Sequence, residues 1–216
     1  MVGSFQNSQG KQIVLCLIQT IQENAQYLSE VDGAIGDGDH GVNLNKGFTR
    51  CKELISDKEV DLSGALGTLG EVLLTEIGGA LGPLYGSFFT DMAAVCQGKP
   101  AIDKQLFGQM LKSGLDSMQN LGGARVGDKT LLDTLIPAYE AYSLSLAQDM
   151  SFRTALQNMA EAAENGKEST RNLVAKIGRA SRLGERSRGV LDAGAVSCYL
   201  ILKSLADSID KSISQV

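Results

Sequence analysis

Between Asp32 and Gly41 the chain reads DGAIGDGDHG, placing three aspartates (Asp32, Asp37, Asp39), the single histidine (His40) and four glycines within ten residues. Three carboxylates held about 6 Å apart repel by about 3 kcal/mol per pair at an effective dielectric near 20. A fold carries that burden only if something cancels the charge. Hard divalent cations such as Mg²⁺ do so, because they take oxygen ligands and bridge to phosphates. The glycines let the backbone turn tightly and let a ligand approach the main chain.

Three familiar patterns fail here. Gly36-x-Gly38-x-x-Gly41 matches the dinucleotide fingerprint, but that motif needs a preceding strand, and the residues before it have helical spacing. A calcium loop needs acidic residues at other positions and Glu at its twelfth, where this chain has Asn43. GGARVGDKT approaches a P-loop, but Asp128 separates Gly127 from Lys129 and no strand precedes it.

The elements that must position the aspartates are helical. Leu62, Leu66, Leu69 and Leu73 fall on one helical face, as do Ile13, Leu17 and Ile21, and Leu202, Leu205 and Ile209. QIVLCLI (12–18) alone would suit a buried strand, but its continuation through IQTIQENAQYL favours a helix by length. The pattern predicts eight helices, at about 9–30, 43–57, 62–76, 83–97, 103–121, 129–145, 151–177 and 193–214. Asp61, Asp103 and Ser151 are expected N-caps, and Pro83 suits a first turn, where its missing N–H costs nothing.

If successive helices run up and down, as short loops demand, the odd-numbered connections share one end. These are 31–42, 78–82, 122–128 and 178–194, each glycine-rich, and together they hold the acidic cluster and Arg179, Arg182, Arg186 and Arg188. The connections at the other end are short and mostly polar, with a single glycine. Helix capping accounts for one or two glycines per loop but not for their restriction to one rim. The seventh helix is the weak point. If Gly166 ended it in a hairpin, the arginines would move to the opposite rim; a glycine inside a helix costs only about 1 kcal/mol relative to Ala.

Rim loops that lead into helices present free N–H groups and about half a positive charge, which suits phosphate oxygens. Asn43 serves either as a cap or as a ligand contact. Most of the arginines read as a solvated charge run, with one or two free to screen charge developing during phosphoryl transfer. His40 can donate to a phosphate oxygen or orient a metal-bound carboxylate. An ADP of about −3 beside three carboxylates amounts to about −6, which two divalent ions reduce to about −2.

Composition excludes other classes. The 216 residues carry a formal charge of −5 and 5% aromatics with no Trp, which argues against nucleic acid and anionic membranes. Cys16, Cys51, Cys96 and Cys198 form no CxxC pair and read as reduced, buried thiols of a cytoplasmic protein. The N-terminus lacks an export signal, and no apolar run approaches the roughly 20 residues of a membrane span. We expect residues 1–216 to form one helical domain.

Four ordered segments, DGAIGDGDHG, GGALGPLYG, GDKTLLD and GRASRLGERS followed by DAG, together resemble the nucleotide-binding L subunit of dihydroxyacetone kinase. The resemblance runs along nearly the whole chain. It implies an all-α, eight-helix antiparallel up-and-down barrel with nucleotide bound at one end. It places two Mg²⁺ on Asp32, Asp37 and Asp39. It places ADP or ATP against His40, Gly41, Val42, Asn43, Ala80, Leu81, Gly122, Leu131, Arg179, Asp192, Ala193 and Gly194. The family motifs GGASGPLYG, HGTN and DPG differ here at Leu81, Val42 and Ala193, so two hydroxyls are missing. Family members that act as separate subunits keep ADP as a bound cofactor. A phosphohistidine protein of the sugar phosphotransferase system recharges it, and the γ-phosphoryl passes to a keto-triose on a K subunit; other members use free ATP. The resemblance therefore implies an acceptor held on another polypeptide. The departures also leave open a catalytically silent metal–nucleotide module, or a relative serving another ketose or a carrier-bound acyl group.

Overall fold

The computed structural model describes residues 3–213, and the last predicted helical residue, 214, lies outside them. The helices are α1 Lys11–Glu23, α2 Ala25–Gly33, α3 His40–Ile55, α4 Leu62–Glu76, α5 Leu81–Cys96, α6 Lys104–Gly122, α7 Leu132–Ala147, α8 Phe152–Ser169 and α9 Ala193–Ile213. Each packs on its sequence neighbours, and α1 packs on α9, closing the ring. The apolar faces read from the sequence all point inward: Leu62, Leu66, Leu69, Leu73, Ile13, Leu17, Ile21, Leu202, Leu205 and Ile209 are buried. Phe89 anchors the centre, edge-on to Phe48 and Phe88 at ring separations of 6.2 and 5.2 Å.

The expected caps form. The Asp61 and Asp103 carboxylates accept from the N–H groups of Gly64 and Leu106 at 2.8 Å, and the Ser151 hydroxyl accepts from that of Thr154 at 3.1 Å. Asn43 does not cap; it lies in the first turn of α3, which starts three residues earlier than predicted, at His40.

Two predicted helices are corrected. The first is broken at Asn24 (φ −103°, ψ 6°), whose amide folds back to donate to the Thr20 carbonyl at 2.8 Å. The chain restarts there as α2. The seventh ends at Ser169 rather than 177, followed by a 3₁₀ turn at Thr170–Asn172. There Ser169 and Thr170 hydroxyls donate to the carbonyls of Gly166 and Lys167 at 2.7 Å, competing with the backbone ladder. Gly166 itself is helical, because α8 crosses α7 at that point. A Cβ there would lie 2.3 Å from the Asp133 carbonyl oxygen. With α8 uninterrupted through Gly166, the arginine loop stays on the rim that holds the aspartates.

A short sheet was not foreseen: β1 Ser4–Gln6 pairs antiparallel with β2 Ala101–Asp103, Phe5 opposite Ile102. It seals the end away from the aspartates, where the Asn7 amide donates to the carbonyls of Cys96 (3.1 Å) and Lys99 (2.8 Å) and accepts from the Leu62 N–H (3.0 Å). Three residues are too few for a periodicity signal. The rim is built differently. Of eight glycines with positive φ, only Gly98 lies at the sealed end, so left-handed backbone is concentrated where the loops must curl inward. Cys51, Cys96 and Cys198 are buried free thiols, while Cys16 is only half-buried. Among the described residues no helix is long and apolar enough to cross a membrane.

Candidate functional site

The four helices α3, α5, α7 and α9 all begin at the glycine-rich rim, so four N-terminal dipole ends converge on one mouth. The mouth opens into a cavity of about 490 Å³, within the range of small-ligand sites. Its wall includes Asp32, Asp37, Asp39, His40, Asn43, Ala80, Leu81, Leu131, Arg179, Asp192, Ala193 and Gly194. Three predicted contact residues do not line it. Gly41 is pressed against α2, where a Cβ would lie 1.9 Å from the Ala25 carbonyl oxygen. Val42 points outward and is 64% exposed. Gly122, the last residue of α6, sits behind Leu84, itself a wall residue.

Asp32 is the last residue but one of α2, while Asp37 and Asp39 lie in the turn leading into α3. One carboxylate oxygen from each lies within 4.8 Å of the others. An all-oxygen, anionic donor set of this kind fits a hard cation such as Mg²⁺ and offers nothing to a soft one. Arg179, opening the 3₁₀ segment Arg179–Ser187, forms an ion pair with Asp37 across the mouth.

His40 is buried, and its Nε2 lies 2.9 Å from the Ser197 hydroxyl of α9. The Tyr85 hydroxyl lies 2.7 Å from the same oxygen. Burial pushes the ring's pKa down to about 4, with the nearby Asp32 charge opposing, so the imidazole is neutral at pH 7. Burial likewise pushes the Asp192 carboxyl up to about 7, against the pull of the Ala195 N–H it accepts at 2.8 Å and of Lys129.

Lys129 and Asp133 organise the loop into α7. Asp133, buried, accepts from the N–H groups of Gly127 (2.5 Å) and Thr130 (2.7 Å). Lys129 holds a left-handed backbone (φ 63°) and buries its ammonium between the carbonyls of Thr170 and Val190, 2.5 Å from each. Those carbonyls flank the segment that carries Arg179, so one cation ties both ends of that segment to the barrel. Sequence reasoning missed the roles of Tyr85, Ser197 and Lys129. Lys129 stood in a near-P-loop string, and neither its left-handed backbone nor its buried side chain has a local sequence signal. Gly194 and Ser197 share a helical face by spacing, but nothing local points that face at His40.

An all-helical barrel with an acidic mouth ringed by helix N-termini defines the class, and the DAK2 domain family matches residues 34–207. The chain belongs to that family, and the match includes every predicted site residue except Asp32. The ADP-binding subunit DhaL of the PEP-dependent dihydroxyacetone kinase of Escherichia coli (strain K12) is 39% identical over 185 residues, 84% of this chain and 87% of that protein. The D-erythrulose kinase of Mycolicibacterium smegmatis is 32% identical over 199 residues, 91% of this chain but 34% of that protein. The dihydroxyacetone kinase of C. freundii superposes with a TM-score of 0.71 at 29% identity, across 94% of this chain and 35% of that one. Its complex with AMP-PNP and Mg²⁺ gives 0.68 at 26% identity, with 94% and 34% covered.

Proposed function

We propose that this chain is the ADP-binding, Mg²⁺-dependent phosphoryl-transfer subunit of a dihydroxyacetone-type kinase. The observation that carries the reading is the approach of three carboxylate oxygens to within 4.8 Å at a mouth ringed by helix N-termini. Asp32, Asp37 and Asp39 would hold two Mg²⁺, whose chemistry is to neutralise and orient phosphate oxygens. The backbone N–H groups opening α5, α7 and α9 would receive phosphates, near Ala80, Leu81, Leu131, Ala193 and Gly194. Arg179 stabilises charge on the phosphoryl group in transit. Leu81 lines the cavity, so the family's missing serine hydroxyl matters there, whereas Val42 faces away.

In this reading residues 1–216 act as one cytoplasmic domain, ADP is a bound cofactor recharged by a phosphohistidine protein of the phosphotransferase system, and the keto-triose sits on a separate K subunit. Mass analysis of nucleotide released from the purified, denatured protein tests it. Stoichiometric ADP is expected; protein that neither carries nor takes up ADP with Mg²⁺ would refute it. The erythrulose kinases among the relatives favour one second reading, a different ketose as acceptor. Turnover with purified K-type partners charged with either ketose separates the two.

A further inference from the structure

His40 touches the cavity with one edge and the barrel interior with the other. On the interior side three groups compete for two hydroxyl protons. Ser197 Oγ has three contacts, 2.9 Å from His40 Nε2, 2.7 Å from the Tyr85 hydroxyl and 3.1 Å from the Gly194 carbonyl oxygen, and the Tyr85 hydroxyl reaches that same carbonyl at a longer 3.3 Å. A serine hydroxyl has one proton to give and two lone pairs. If Ser197 donates to the histidine, its contact with the Gly194 carbonyl is wasted and only two of the three contacts are hydrogen bonds. If Ser197 instead donates to Gly194, it accepts from both Tyr85 and His40, and all three contacts are satisfied. Buried polar groups settle into the arrangement that leaves fewest contacts unmade. That arrangement puts the imidazole proton on Nε2. The other nitrogen, Nδ1, makes no hydrogen bond to the described residues and is not among the enclosed, unpartnered atoms, and His40 is part of the mouth's wall.

We propose that Ser197, itself fixed by Tyr85 and Gly194, is a positioning residue that holds His40 as the Nε2–H tautomer and turns a bare Nδ1 lone pair toward the acidic mouth. A bare lone pair accepts. It therefore suits the O–H of water on a hydrated divalent cation and repels a phosphate oxygen, so the phosphates are left to the backbone N–H groups and Arg179. This ligand assignment rests on the metal site proposed above; the tautomer assignment does not.

The chain has a single histidine, so a long-range ¹H–¹⁵N spectrum of the ¹⁵N-labelled, ligand-free protein near pH 7 reports one ring. We expect a protonated Nε2 and an unprotonated Nδ1. Ser197→Ala should release the ring to a mixture of tautomers while circular dichroism stays helical, and Ser197→Thr, which keeps the hydroxyl, should restore the pinned form. Mg²⁺ added alone should shift the Nδ1 signal in the wild type and not in Asp37→Asn. A protonated Nδ1 in the wild type would overturn the proposal and make the ring a donor to phosphate. An unchanged tautomer in folded Ser197→Ala would remove Ser197 from the account. An Nδ1 signal indifferent to Mg²⁺ would overturn the role of the lone pair. Failure to retain ADP, with the tautomer and the Mg²⁺ response as expected, would sink only the kinase reading.

Discussion

Arg179, in the loop after α8, forms an ion pair with Asp37, in the loop before α3. Both side chains are substantially exposed, at 62% and 44%, and an exposed pair contributes little to stability. The contact thus places a cation beside the acidic triad at little folding benefit, as expected of a group kept for ligand charge.

Asp37→Asn should abolish Mg²⁺-dependent ADP retention while leaving the helical content and melting temperature unchanged, since the removed charge is exposed. Calorimetric titration of ADP with and without Mg²⁺ checks this; wild-type affinity in the variant would exclude Asp37 from the metal site.

For Arg179→Ala, turnover with a K-type partner should fall by about 10³-fold, the scale of an arginine lost from a phosphoryl-transfer site, with ADP affinity changing far less. Arg179→Lys should recover little, because an ammonium lacks the planar fork. A loss confined to ADP affinity would make Arg179 a binding group only.

The two perturbed groups predict opposite pH slopes of stability. Asp192, raised to about 7 by burial, contributes stability that is full below about pH 4 and lost as pH rises through 7. His40, lowered to about 4 by burial, contributes stability present above about pH 6.5 and lost as pH falls through 4. Between pH 4 and 6.5 these slopes oppose each other. Asp192→Asn keeps an oxygen for the Ala195 N–H but removes the titration, so its melting temperature relative to wild type should rise with pH across that window. His40→Gln should show the reverse. Thermal melts at pH 4.5, 5.5 and 6.5 decide; curves parallel to wild type would mean that neither burial survives in solution.

Gly166→Ala separates helix propensity from packing. Propensity alone favours Ala by about 1 kcal/mol. The Asp133 carbonyl oxygen, 2.3 Å from the added methyl, should reverse the sign, with overpacking costing about 1–3 kcal/mol. At about 2–4 °C per kcal/mol for a chain of this size, the melting temperature should drop by several degrees; a rise would show that α7 and α8 do not touch there.

Leu81→Ser returns a hydroxyl to the cavity wall at the start of α5. One added hydrogen bond of about 1 kcal/mol should tighten Mg²⁺–ADP binding about fivefold in calorimetry. Unchanged affinity would show that the backbone N–H already suffices.

The sequence by itself determined the helical class, the inward faces, three caps, the cluster of three aspartates and the end of the barrel that holds it. Each of these follows from residues close in the chain: a period of 3.6, a capping side chain three residues upstream, glycines gathered in alternate connections. Only the tertiary structure decided that α8 runs on through Gly166, that Lys129 staples both ends of the Arg179 segment, and that Ser197 and Tyr85 meet His40. Those depend on contacts such as His40 to Ser197, 157 positions apart, where no local preference selects the partner and close packing of whole helices does.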